Sequence, residues 1–470
     1  MPVSENHFPE FAAKMRAAQL SEAAIRAFQY SYDTLVAGHT GLIPESEIQP
    51  VEDLPRLEDA GRAVAKKQPS ESLLSQTIII KLNGGLGTSM GLERAKSLLP
   101  VKDGWTFLDF IAKQILHLRE KHKVQLRFLL MNSFSTSGDT LDFLKKYPEL
   151  GAPKSLELMQ NQVPKVDAKS LQPAVWPENP QLEWCPPGHG DLYPSLLGSG
   201  WLERLLAEGV KYAFVSNSDN LGATLDLDLL NYFADSGKSF LMEVAERTAS
   251  DRKGGHLAQR NGKLLLRESA QCPESDVAAF QDIQRHRFFN TNNLWLRLDR
   301  LKALLEKNGG FIPLAVIKNS KTVDPRNKNS PPVFQLETAM GAAIECFADA
   351  GAMVVPRTRF APVKTTSDLL ALRSDAYAVT DDFRMVLAAQ DHAQPPAISL
   401  DDKFYKSVDQ LDEKLQNGVP SLKNCREFAV RGPVLLSSEN IFEGKISLAN
   451  NSLAPKPLPP GIYRDCSIEL

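Results

Sequence analysis

The chain has 470 residues, 43% of them hydrophobic, with 54 Lys and Arg against 57 Asp and Glu for a net charge of −3. That composition buries a core and excludes a disordered polymer, and the near-balanced charge excludes a surface built to hold a nucleic-acid polymer. The five cysteines form no C-x-x-C pair, MPVSENHFPEF lacks the basic-then-apolar order of a signal peptide, and no apolar run is long enough to span a bilayer. The expectation is a reduced, cytoplasmic protein that does not engage membranes.

Residues 8–35 place apolar side chains three and four apart, which predicts a helical N-terminal extension over 1–45. Strand and helix signals then alternate. Residues 77–82 (TIIIKL) form a short β-branched run that ends at once in a Gly-rich turn. Residues 105–120 predict an amphipathic helix with Leu108, Ile111, Ile115 and Leu118 on one face. Further strands are expected at 126–131, 212–216, 240–244, 293–298 and 352–355. Strands separated by helices imply an α/β domain over 46–387 with a largely parallel sheet, in which ligands bind beyond the carboxyl ends of the strands. After about Leu387 the composition changes. AAQDHAQPPAISL reads as a linker, residues 407–417 as a short helix, and FAV, VLL and KISL as short strands suited to the coils of a small β-helix over 388–470. The Pro-rich APKPLPPG reads as irregular.

The first polar motif is KLNGGLGTSM at 81–90, continuing GLERAKSLL. Gly84, Gly85 and Gly87 permit positive φ and close backbone approach, so successive N–H groups can point at phosphate oxygens. Lys96 follows nine residues after Gly87 and is the candidate cation for nucleotide phosphates. A P-loop would need its Lys directly after the second Gly, and a dinucleotide fingerprint would need G-x-G-x-x-G, so the spacing fits neither. A tight turn without a ligand stays open from the loop alone. In SNSDN, Asp219 ends a buried strand and is a candidate Mg2+ ligand or an ordinary turn residue. With no His/Cys cluster, zinc is not expected. His189 sits between Gly188 and Gly190 in PPGHGD, where flexible backbone suits ligand contact.

KLNGGLGTSMG…AKS resembles the signature of the eukaryotic-type UTP–glucose-1-phosphate uridylyltransferases, or UDP-glucose pyrophosphorylases. LMQNQVPK, WCPPGHGD, VSNSDNLGAT, DRKGGHL, FFNTNNL and RFAPVKTTSDLLAL resemble further blocks of that family, in family order. The resemblance implies a Rossmann-like nucleotidyltransferase domain with a mixed, mostly parallel sheet, the helical N-terminal extension and a small C-terminal β-helix. It implies that Lys96 and Lys364 neutralise phosphates from opposite walls and that Asp219 binds Mg2+. Leu82, Asn83, Gly84 and Gly85 would line the nucleoside, with Gln162 and Gly188 at the uracil. His189 would meet the sugar phosphate, and Asn217, Glu268, Asn290 and Asn292 the glucose. Two departures stand beside these positions: Ala95 where many members have Pro before the Lys, and Ser218 where many have Gly.

The expected partners are UTP, glucose 1-phosphate, UDP-glucose and pyrophosphate. The attacking sugar phosphate is already ionised at neutral pH, so the chemistry needs positioning and charge neutralisation rather than a general base. A UDP-sugar or UDP-N-acetylglucosamine pyrophosphorylase is the nearest rival, although its first loop would more typically read LAGGQGTRLG. A catalytically silent nucleotide-sugar-binding protein is a more distant rival, which has no need of Lys96, Asp219 and Lys364 together. The C-terminal module can serve as a surface for self-association or as a cover for the catalytic domain.

Overall fold

A computed structural model describes residues 6–59, 70–248, 251–388 and 394–470. The N-terminal extension is a helical hairpin, α1 (Phe8–Ala17) and α2 (Glu22–Val36). The break falls at Ser21, whose hydroxyl accepts from the Ala24 N–H (3.2 Å) and starts α2 afresh. Phe11 packs on Phe28 and Tyr32, with ring centroids 5.3 and 4.8 Å away. The hairpin buries this face against Val163, Val166, Cys185 and Leu336, so it is docked on the catalytic region.

The central sheet is built from β1 (Thr77–Asn83), β2 (Arg127–Asn132), β3 (Glu157–Met159), β4 (Tyr212–Asn217), β5 (Phe240–Glu246), the hairpin β6 (His256–Arg260) and β7 (Lys263–Arg267), β8 (Phe288–Arg297) and β9 (Gly351–Val354). β3, β2, β1 and β4 run parallel in that order. β8 joins β4 and β5 antiparallel, and β9 extends β5 in parallel. In β1 six of seven residues are buried, as a parallel strand covered on both faces requires. The covering helix α3 (Phe107–His122) starts later than 105, because Trp105–Thr106 is a short strand. The Thr106 hydroxyl and the Asp109 carboxylate then form a reciprocal cap.

Because β1 to β4 are parallel, their carboxyl ends lie along one edge of the sheet. The loops after Asn83, Met159 and Asn217 leave from that edge. β8 contributes a bulge: Glu243 opposes Asn293 but Val244 opposes Asn290, so Thr291 and Asn292 are extra residues. Asn292 takes a left-handed φ of 59°, which an Asn tolerates better than most residues.

The C-terminal region holds a parallel sheet of β10 (Ala397–Leu400), β11 (Ser421–Arg431), β12 (Asn440–Ala449) and β13 (Gly461–Glu469). Val434–Leu435 pairs in parallel with Lys456–Pro457, so successive coils stack around Phe428 and Phe442. Three expectations are corrected. β10 forms within the presumed linker, of which residues 389–393 lie outside the described residues. Within APKPLPPG, Lys456 and Pro457 are a strand and not irregular. β13 was not foreseen, because its partner is a neighbouring coil and not an apolar face of its own. The helix α4 (Val408–Lys414) starts at a Ser407–Gln410 capping box. Ser407 lies over the Gly-rich loop, its Cβ 2.9 Å from where a Cβ would stand on Gly91.

Candidate active site

β1 delivers the Gly-rich loop to the sheet edge, and the loop folds back so that the Lys96 N–H bonds the Gly85 carbonyl (3.1 Å). Positive φ falls on Gly87 (70°) and Gly91 (76°), and not on Gly84 or Gly85 as expected. Gly84 is needed for close approach: a Cβ there would stand 2.8 Å from Gln160 Oε1. The buried Asn83 amide donates to Asn132 Oδ1 (2.7 Å) and Thr140 Oγ1 (2.9 Å). Its amide nitrogen therefore ties β1 to β2, while its Oδ1 is buried with no partner among the described residues. Leu82 pairs with Asn217 across β1 and β4, so these two site candidates are neighbours.

Lys96 and Asp219, 123 residues apart, meet: Lys96 Nζ is 2.5 Å from Asp219 Oδ2 and also donates to the Val363 carbonyl. The Asp219 carbonyl accepts from the Val363 N–H (3.2 Å), which draws the segment carrying Lys364 to the same place. Lys364 is exposed, and its charge partly offsets the burial that raises the Glu268 carboxyl pKa. Asp219 carries the carboxylate oxygens that Mg2+ favours, and an ion holding one carboxylate takes its other ligands from phosphate and water.

The opposite wall comes from the turn at 188–191. Gly188 has φ 79°, and its carbonyl accepts from Gln160 Nε2 (2.9 Å). His189 Nδ1 accepts from the Met340 N–H (3.0 Å), so the neutral ring carries its proton on Nε2, available for donation. Burial lowers the His189 pKa to about 4, which keeps the ring neutral at physiological pH. Gln160 and Gln162 both line a cleft that Gln19, Leu20 and Ser21 of the turn between α1 and α2 also line. The glutamine between Gly84 and Gly188 is Gln160. Nothing in MQNQVP distinguishes the two, since the choice depends on how the chain leaves β3.

Among the residues expected to meet the glucose, Asn290 Nδ2 donates to Asn292 Oδ1 (2.8 Å) and the Asn290 side-chain oxygen accepts from the Asn292 N–H (2.9 Å) across the bulge. A Cβ on Gly255 would run into the Glu268 carboxylate, and the Asn290 N–H bonds the Gly255 carbonyl (3.3 Å). Glu268, Asn290 and Asn292 are thus one cluster. His256 is not part of the open site: it is buried and stacked on His286 with centroids 3.8 Å apart.

Behind the edge lies a charged block that sequence reasoning missed. Arg359 Nε and Nη2 each bond a Glu243 oxygen at 2.8 Å, and Glu243 also accepts from Asn293 Nδ2 (3.0 Å) and Trp295 Nε1 (2.9 Å). Asn220 bonds the Arg359 carbonyl (3.1 Å) and the Ala361 N–H (2.9 Å), which fixes the Asp219 loop to the Lys364 segment. Lys81 Nζ, fully buried, donates to Ser216 Oγ (2.8 Å) and the Ala223 carbonyl (2.6 Å), and burial lowers its pKa to about 7.

The model of the UTP–glucose-1-phosphate uridylyltransferase family matches residues 25–442. The chain belongs to this family. The matched span begins within α2 and ends within β12, so every candidate site residue named above falls inside it. The uridylyltransferase of Solanum tuberosum is 38% identical over 450 residues, covering 94% of this chain and 92% of its own. That of Encephalitozoon cuniculi is 37% identical over 394 residues, covering 84% and 77%. The UDP-glucose pyrophosphorylase of Leishmania major, as an S374W mutant in complex with UDP-glucose, shares the fold at TM-score 0.93 and 48% identity over 99% of this chain and 100% of that one. A UDP-glucose phosphorylase structure from Trypanosoma brucei matches at TM-score 0.91 and 46% identity, covering 99% of each chain. Among the described residues no helix is long and apolar enough to cross a membrane.

Proposed function

We propose that this uridylyltransferase family member joins UTP to glucose 1-phosphate, forming UDP-glucose and pyrophosphate by one in-line displacement at the α-phosphorus. The observation that carries the reading is the meeting of Lys96, Asp219 and the Lys364 segment where the Gly-rich loop leaves the sheet. A phosphoanhydride bond forms between the sugar phosphate oxygen and the α-phosphorus while the α–β phosphoanhydride of UTP breaks and pyrophosphate leaves, so the site must screen two anions from each other. Lys96 and Lys364 do that together from the Asp219 side, not from opposite walls, and the loop N–H groups orient the triphosphate. His189 Nε2 donates to the sugar phosphate. Gln160, in place of Gln162, reads uracil with Gly188, while Asn217, Glu268, Asn290 and Asn292 read the glucose hydroxyls.

Mg2+ bound at Asp219 would neutralise the phosphates around the reacting phosphorus. The buried Glu243–Arg359 pair and Asn220 keep that carboxylate and Lys364 in register. The chain divides into a helical extension (1–45), a catalytic domain (46–387) and a C-terminal module (388–470) whose last strand, β13, pairs on one side only among the described residues and offers its other edge for self-association. A cytoplasmic location agrees with the five free thiols.

The test is kcat/KM for each triphosphate with glucose 1-phosphate and for each sugar phosphate with UTP. UTP should exceed CTP by roughly 5- to 150-fold, the cost of one unpaired buried polar group. Glucose 1-phosphate should exceed its galactose and N-acetylglucosamine counterparts. If N-acetylglucosamine 1-phosphate matched glucose 1-phosphate, the substrate would pass to the UDP-N-acetylglucosamine or UDP-sugar pyrophosphorylase reading and the uridylyltransferase class would stand.

A further inference from the structure

Two residues beyond His189, Asp191 is buried, 4% exposed, and takes no part in the chemistry above. A buried carboxylate is costly unless its oxygens are paired. Here Oδ2 accepts from the Asn161 backbone N–H (2.7 Å) and from Ser195 Oγ (2.7 Å), and Oδ1 accepts from Asn161 Nδ2 (3.0 Å). Burial still outweighs these bonds and raises the carboxyl pKa to about 6.

The bonds join two segments that are separate in the chain. β3 makes its last ladder pair at Met159, and the Gln160 N–H makes one further bond to the Asn132 carbonyl (2.7 Å). The next backbone N–H, that of Asn161, is held by Asp191. On the other side, Asp191 follows Gly188 and His189 in one turn and leads into the helix Leu192–Gly198. There the Tyr193 hydroxyl donates to the carbonyl of Met340 (2.7 Å), the residue whose N–H is accepted by His189. One carboxylate thus fixes the distance between the segment carrying Gln160 and the turn carrying Gly188, the gap that Gln160 Nε2 closes at 2.9 Å.

We propose that Asp191 is a positioning residue for base recognition, holding Gln160 against Gly84 and Gly188 so that uracil is preferred over cytosine. This rests on the reading of Gln160 as the base-reading residue. A reader held by a flexible tether forfeits discrimination, because a misplaced amide leaves the wrong base no worse paired than the right one.

The experiment uses the full-length enzyme and its Asp191→Asn, Asn161→Ala, Asp191→Asn/Asn161→Asp and Gln160→Ala variants. It measures kcat and KM for UTP and for CTP at saturating glucose 1-phosphate. Asp191→Asn must set an amide nitrogen against either the Asn161 N–H and Ser195 or the Asn161 side-chain amide, and should lower kcat/KM for UTP about tenfold, mainly through KM. The UTP-to-CTP ratio should fall by a similar factor. Asn161→Ala should lower the ratio in the same direction, and the double exchange, which restores a carboxylate–amide pair in reverse, should return it to within about threefold of the parent. If Asp191→Asn does not fold, Asn161→Ala and the double exchange carry the test. An unchanged ratio in Asn161→Ala or in folded Asp191→Asn, with the ratio collapsed in Gln160→Ala, would overturn the role of Asp191 alone. An unchanged ratio in Gln160→Ala would overturn the base-reading assignment and this inference with it.

Discussion

Replacing Lys96 by Met keeps the unbranched side chain to within one atom of its length and removes its charge. The Lys96–Asp219 pair is partly exposed, 15% and 20% at the two side chains, so its loss should cost no more than about 1 kcal/mol of stability. The melting temperature should therefore move by about 3 °C at most. Turnover should respond far more. Two unit charges about 4 Å apart interact by about 4 kcal/mol at an effective dielectric of about 20, and removing one preorganised electrostatic group typically costs 10²- to 10³-fold, or about 2.7–4 kcal/mol. The two figures agree because, on the proposed reading, the charge to be screened would lie on phosphate oxygens within direct reach of a lysine. The expected result is a kcat at least about 100-fold below the parent. The assay is pyrophosphate release at saturating UTP and glucose 1-phosphate, with a thermal melt on the same preparation and Lys364→Met in parallel. A kcat within about threefold of the parent would refute the charge argument. A lost kcat accompanied by a collapsed melting temperature would assign Lys96 to the fold.

EDTA should abolish activity and Mg2+ restore it, and Asp219→Asn should raise the Mg2+ concentration for half-activation by about tenfold or more; an unaltered Mg2+ titration would move the metal to another ligand. Gly188→Ala places a Cβ at φ 79° against the Thr338 carbonyl and 2.8 Å from the Thr338 nitrogen. It should cost at least about 1–2 kcal/mol and weaken UTP binding as the Gln160 contact is displaced, so a parent-like melt and a parent-like KM would contradict the geometry. The pKa of His256 is lowered to about 2 and that of His189 to about 4, both by burial, whereas an unfolded His titrates near 6.5. Between these values the unfolded chain binds more protons, so stability present above about pH 6.5 is lost as pH falls, by up to about 1.4 kcal/mol per pH unit per group. Urea midpoints of the parent and His256→Gln between pH 7 and pH 4.5 check this: the variant should show the shallower slope, and equal slopes would remove His256 from the acid sensitivity.

Local pattern determined a good deal of this protein. TIIIKL marks a strand buried on both faces, and the glycines after it mark a tight turn at the sheet edge. The polar SNSDN after a second buried strand puts Asp219 where a parallel sheet collects ligands. These signals hold because β-branched runs and glycine turns act over a few residues. Family resemblance extended them to Lys364 and to the sugar-side asparagines. Which polar groups face each other was decided by packing. MQNQVP offers two glutamines, and only the exit from β3 turns Gln160 to Gly188. Asn83 sits in the loop motif, yet its amide is taken by Asn132 and Thr140. Glu243 finds Arg359 across 116 residues, and Asp191 finds Asn161 from the far side of a turn. A buried polar atom must be paired wherever the fold brings a partner, and the identity of that partner depends on distances between segments that no local pattern encodes.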